Sequence, residues 1–130
     1  MELGYIIIYV ADVVQTVTFY QNAFGLELQF LHESNQYAQM DTGCTTLAFA
    51  SEDLTIGNKL TFRPNRAKET PAGFEIALVT EDIQAAFKKA LDNGAQTVSE
   101  PMQKPWGQMV AYVTDNNGIL VELCTPITSE

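Results

Sequence analysis

Apolar residues follow two rhythms along this chain, and the same succession of rhythms occurs twice. The first copy, YIIIYVADVVQTVTFYQNAFG, opens with β-branched and aromatic residues that predict a strand over 5–10. Asp12 then stands where a helix cap belongs, with Gln15 at the position that closes a capping box. Val13, Val17, Tyr20 and Phe24 recur at helical spacing, and Gly25 supplies the left-handed stop. The second copy, EIALVTEDIQAAFKKALDNGA, repeats the order at an offset of 70 residues, matching Tyr5 with Glu75 and Asp12 with Asp82. Its helix carries Ile83, Ala86, Phe87, Ala90 and Leu91 on one stripe, and Asn93-Gly94 ends it.

After each helix the period shortens to that of strands. LELQFLHE, QYAQMDTG and TTLAFASE follow the first, with a further short strand expected at Leu60–Phe62. QTVSEPMQKPWG, QMVAYVTD and ILVELCT follow the second, the last two joined by a tight turn at Asn116-Asn117-Gly118. The predicted order is βαβββ twice over, an α+β fold. Its paired modules are expected to form a curved mixed sheet around a cleft. At 130 residues the chain reads as one domain, with modules over about 1–62 and 72–128. The polar stretch with Pro64 and Pro71 reads as the linker between them, and 52–72 as a candidate mobile edge of a pocket.

Strand alternation sorts the candidate site residues. Phe74, Ile76 and Leu78 are expected to face the core, which sends Glu75 to the cleft. Val121 and Leu123 do the same on the last strand, sending Glu122 the same way together with Cys124. Two carboxylates in a partly apolar setting can hold a cation, move a proton or bind a cationic organic group, and their repulsion raises at least one pKa. Tyr5, the counterpart of Glu75, and Tyr9 on the same face offer hydrogen bonds or aromatic surface. Trp106, held between Pro105 and Gly107, reads as a flat pocket edge or as packing; Leu47 and Phe49 are candidate apolar walls. His32 carries no spacing signal, and Cys124 has no neighbouring base of the kind a nucleophilic cysteine requires.

Charge narrows the partners. Sixteen acidic against seven basic side chains give a net charge of -9, which opposes a phosphate backbone and argues against nucleic acid. No apolar run spans a bilayer, and the N-terminus lacks the pattern of a signal peptide, so a cytoplasmic protein with no membrane association is expected. Cys44 and Cys124 form no Cys-x-x-Cys motif and read as free thiols.

Two stretches carry a family resemblance. YVADVVQTVTFYQNAFGLEL, with Asp12 seven residues ahead of Phe19-Tyr20, and PWGQMVAYVTDNNGILVEL, with Asp115-Asn116-Asn117-Gly118 leading to Glu122, resemble the two ends of a vicinal-oxygen-chelate protein. That superfamily includes glyoxalase I, extradiol dioxygenases, fosfomycin-resistance proteins and bleomycin-resistance proteins. The resemblance implies paired βαβββ modules and a homodimer. It also implies metal-ligand positions at Tyr5, around Leu47 to Phe49, at Glu75 and at Glu122, of which only the final acid keeps the metal-dependent pattern. The resemblance therefore leads first to metal-free, cofactor-free binding or sequestration of a small organic molecule, cationic or aromatic, in the manner of the bleomycin-resistance proteins. The proposed ligand-binding residues are Tyr5, Tyr9, Leu47, Phe49, Glu75, Trp106 and Glu122. A divalent-metal-dependent lyase or isomerase using Glu75 and Glu122 as ligands is the enzymatic alternative. A structural or regulatory dimer is the third.

Overall fold

The computed structural model describes residues 1–127, except for the side chain of Ile56. Its elements run β1 (Tyr5–Val10), α1 (Val13–Phe24), β2 (Glu27–Leu31), β3 (Tyr37–Asp41), β4 (Thr46–Ser51), α2 (Leu54–Asn58), β5 (Ile76–Val79), α3 (Ile83–Asp92), β6 (Gln96–Gln103), β7 (Met109–Thr114) and β8 (Leu120–Cys124). Both long helices begin as their sequences dictate. The Asp12 carboxylate accepts the Gln15 N–H at 2.9 Å, and Asp82 accepts the Ala85 N–H at 3.1 Å. Each bond satisfies a donor that a bare helix start leaves unpaired, an effect worth about 1 kcal/mol. Gly25 closes α1 in the left-handed conformation at φ 68°.

The chain divides into two compact units, Met1–Asn65 and a second from Arg66 onward. In the first, the sheet order is β1-β4-β3-β2, with β1 and β4 parallel and the other pairs antiparallel. Register puts Ile6 and Ile8 opposite Leu47 and Phe49, and Ala38 and Met40 on the same face. This face is closed by α1, which packs on β2, β3 and β4. Tyr20 and Phe49 meet at its centre with ring centroids 4.8 Å apart, both without exposed surface. In the second unit the order is β5-β8-β7-β6, again with one parallel pair, β5 and β8. Ala111 and Val113 on β7 and Val121 and Leu123 on β8 form its buried face, and α3 packs on β6, β7 and β8.

The paired modules are thus present, but the expected curved sheet around a cleft is not. The strands form two separate four-stranded sheets, neither curled nor closed. The physical reason lies in the pairing: each module's first strand lies parallel beside its own last strand, and each sheet takes its four strands from one module. Two smaller expectations are also corrected. Leu60–Phe62 is not a strand: the chain instead makes the short α2, which ends at Lys59 in the left-handed region (φ 56°). Phe62 then stacks on Tyr9, while the Asn65 side-chain amide donates to the Tyr9 carbonyl at 3.1 Å. Phe74 precedes β5 and is exposed rather than in the core, because the ladder that would bury it begins only at Ile76. Residue 128, the expected end of the second module, lies outside the described residues. Among the described residues no helix is long and apolar enough to cross a membrane.

Candidate functional site

The face of the second unit's sheet opposite its buried face gathers the chemistry. On β8, Val121 and Leu123 take one side, so Glu122 and Cys124 take the other. Parallel pairing sets Ala77 opposite Glu122, and Glu75, two residues before Ala77, falls on the same side. On β7 the residue opposite Glu122 is Tyr112, whose hydroxyl donates to Glu122 Oε1 at 2.9 Å. Cys124 completes the row, opposite Val110.

These groups alter one another's acidity. The Glu75 carboxyl is held above its ordinary 4.5, first by desolvation, then by repulsion from Glu122 and by the hydrogen bond between the two carboxyl groups. Tyr112 is pushed up to about 12, chiefly because its hydroxyl is already donated to Glu122. Burial leads in pushing the Cys124 thiol up to about 11, followed by its bond to Glu122 and the charges of Glu122 and Glu75. A thiol so placed is a poor nucleophile at neutral pH. The result is a pair of adjacent carboxyl groups with an aromatic hydroxyl fixed beside them.

The remaining expected site residues lie in several places. Trp106 belongs to the same unit, on the turn between β6 and β7, and is 60% exposed. Its indole Nε1–H donates to Gln108 Oε1 at 2.8 Å, and Gln108 Nε2 donates to the Thr125 carbonyl at 2.9 Å, just beyond Cys124. The ring is therefore both exposed and held. Tyr5 and Tyr9 lie in the first unit, on the face away from α1; Tyr5 is exposed, and Tyr9 is covered by Phe62 at a centroid separation of 5.0 Å. Leu47 and Phe49 do not share that face. Parallel pairing sets them beside Ile6 and Ile8 under α1, where both are buried.

Tyr112 is the member that sequence reading missed. The turn at Asn116-Asn117-Gly118 held the signal: a hairpin centred on Asn117 pairs 112 with 122, as the register Thr114↔Leu120 confirms. The turn is secured by the buried Asp115, whose Oδ1 accepts the N–H groups of Asn117 and Ile119 at 2.8 and 2.9 Å. His32 stands apart in the first unit, its Nδ1 engaged with Ser34.

The donor set of this face does not fit the divalent ion of metal-dependent vicinal-oxygen-chelate proteins. Among the described residues no group of three or more His, Cys, Asp or Glu side chains gathers as a metal would require. Glu122 already gives one oxygen to Tyr112, and Leu47 and Phe49 carry no donor atom at all. Zinc asks for about three or four fixed ligands drawn from His, Cys and carboxylate side chains, and harder ions for about six oxygens.

Comparison with known proteins places this geometry in a family. The model of the Glyoxalase/Bleomycin resistance protein/Dioxygenase superfamily matches residues 2–123. The uncharacterized protein YraH of Bacillus subtilis (strain 168) is 24% identical over 124 residues, covering 95% of this chain and 97% of that protein. Among solved structures, a glyoxalase-related enzyme from Fulvimarina pelagi is similar with a TM-score of 0.81 and 17% identity, over 97% of this chain and 88% of the other. A glyoxalase/bleomycin resistance protein/dioxygenase family enzyme from Burkholderia phytofirmans PsJN gives 0.79 and 19%, over 98% and 100%. TioX from Micromonospora sp. ML1 gives 0.72 and 20%, over 96% and 98%. With two βαβββ modules in place and nearly the whole length matched, the chain belongs to the glyoxalase/bleomycin resistance protein/dioxygenase superfamily.

Proposed function

We propose that this protein reversibly binds a small organic molecule bearing a cationic group, through the Glu75–Glu122 face of its second unit. The observation that carries the reading is the adjacency of two mutually repelling carboxyl groups, one fixed by Tyr112. An organic cation relieves that repulsion without needing the coordination shell a metal ion demands. Trp106, exposed and held on the same unit, offers a rigid ring to an aromatic portion of the ligand. Binding and sequestration, rather than turnover, accords with a thiol and a phenol whose acidities are both suppressed.

The test is calorimetric titration with benzylammonium as probe and benzyl alcohol as its neutral counterpart. Saturable uptake of the cation alone, lost in Glu75→Gln and Glu122→Gln and leaving the probe chemically unchanged, supports the proposal. Equal binding of the two probes, or binding indifferent to both substitutions, overturns it. Retention of one divalent ion that depends on both carboxylates would favour the metal-dependent lyase or isomerase instead. Family membership further leads us to propose a homodimer. Light scattering should then give twice the 14.4 kDa chain mass, and a monomer at micromolar concentration would refute it.

A further inference from the structure

The acidic pair has an apolar neighbour on its own sheet face. Register sets the side chains of β5, β8, β7 and β6 in rows across the second unit's sheet. Ala77, Glu122, Tyr112 and Ser99 form one row. Val79, Cys124, Val110 and Met102 form the next, about 7 Å further along the strands. Met102 owes its place to an irregularity in β6: two steps along β7, from Tyr112 to Val110, match three along β6, from Ser99 to Met102. Regular pairing would set Pro101 opposite Val110 instead.

This second row is an apolar strip. Cys124 and Val110 at its centre are each 4% exposed, whereas Val79 and Met102 at its ends are 67% and 57% exposed. The Cys124 thiol is engaged with Glu122, and no charged side chain stands in the row. Past it, Gln108 donates to the Thr125 carbonyl and accepts the Trp106 indole N–H, which ends the strip in paired polar groups. Leaving a valine and a methionine more than half exposed beside a buried centre is unfavourable in water, and a methionine adapts its shape to an apolar occupant. The carboxyl pair one row away adds the matching electrostatic demand, for positive charge. One occupant meets both demands: a cation continued by an apolar chain.

We infer that the ligand carries an unbranched aliphatic segment next to its cationic group, laid over Cys124 and Val110 between the side chains of Val79 and Met102. On the cation-binding reading of the Glu75–Glu122 face, which this inference rests on, the ligand is thus an alkylammonium ion rather than a compact cation. Met102 is the specificity-determining residue, because its flexible thioether can fold onto the chain.

The experiment is calorimetric titration of the full chain with ethyl-, butyl- and hexylammonium, and with hexanol as the uncharged chain. A methylene covered on one side tightens binding about twofold, so hexylammonium should bind on the order of tenfold more tightly than ethylammonium. Met102→Ser should remove most of that gain and leave ethylammonium binding unchanged. Val98→Ser, at a similarly exposed position of β6 outside the row, should alter neither. Equal affinities across the series, with benzylammonium still bound, would overturn the aliphatic segment and leave the cation reading standing. So would a gain with chain length that survives Met102→Ser, or one that Val98→Ser removes as well. Hexanol bound as tightly as hexylammonium, or no uptake of any ammonium ion including benzylammonium, would overturn the cation reading and the aliphatic segment with it.

Discussion

Replacing Glu75 with Gln should stabilise this protein at neutral pH, and the structure supplies the sign of the effect and the direction of its pH dependence. In the folded state Glu75 holds its proton more tightly than a free glutamate does, because desolvation, the Glu122 charge and the inter-carboxyl hydrogen bond all disfavour ionisation. A raised carboxyl pKa means that the folded state binds more protons than the unfolded state. The associated stability is complete below 4.5 and is lost as pH rises through the raised value. Once pH exceeds the raised value, the ionised pair therefore opposes folding. Two charges about 4 Å apart at an aqueous dielectric constant repel by about 1 kcal/mol. Glu75 is largely exposed, so screening at physiological salt reduces this to about 0.6 kcal/mol. Removing the charge while keeping the shape should raise the urea midpoint by about 0.3 M, for a denaturant slope near 2 kcal/mol per M. At pH 4, where wild type is largely protonated, the two proteins should nearly coincide. A lower midpoint for Glu75→Gln at pH 7, or a gain that persists undiminished at pH 4, would refute the reasoning. The same substitution should abolish uptake of benzylammonium, so stability gained and function lost would appear in one variant.

Three further outcomes follow from the packing. Phe49→Ala should lower stability by about 3–5 kcal/mol in urea melts, because the ring is wholly buried against Tyr20 and its removal leaves a cavity; a loss below about 1 kcal/mol would contradict that placement. Gly118→Ala should cost about 2–4 kcal/mol and lower the melting temperature by several degrees. Its φ of 80° is costly for any L side chain, and an added Cβ would run into the carbonyl oxygen of Arg66. At pH 8 a thiol reagent should modify Cys44 rapidly and Cys124 only on unfolding, since Cys44 is exposed while Cys124 is buried with its pKa raised to about 11. The stability tied to the neutral Cys124 thiol is present below its ordinary 9.0 and lost as pH rises through about 11, so alkaline unfolding should begin above pH 9. Equal labelling rates for the two cysteines in the folded protein would overturn this.

Sequence alone determined what depends on neighbours along the chain. The strand-cap-helix-stop order is local: Asp12 and Asp82 cap because a short carboxylate at that point reaches a free N–H three residues on, and Gly25 stops α1 because it lacks a Cβ. Alternation likewise fixed that Glu122 points away from Val121 and Leu123. Tertiary structure decided everything that depends on register between strands. Pairing of β1 with β4 sent Leu47 and Phe49 beneath α1 rather than beside Tyr9, and the bulge in β2 moved Phe30 to the opposite face. Since side chains alternate with a period of two, a one-residue change in pairing exchanges the faces of a strand, and no short-range pattern reports it. The pairing of Tyr112 with Glu122 is the exception, since the short turn at Asn116-Asn117-Gly118 sets that register. Where the ladders end is a property of the whole set of pairings, which is why the βαβββ order was legible while the single curved sheet expected from it resolved into two.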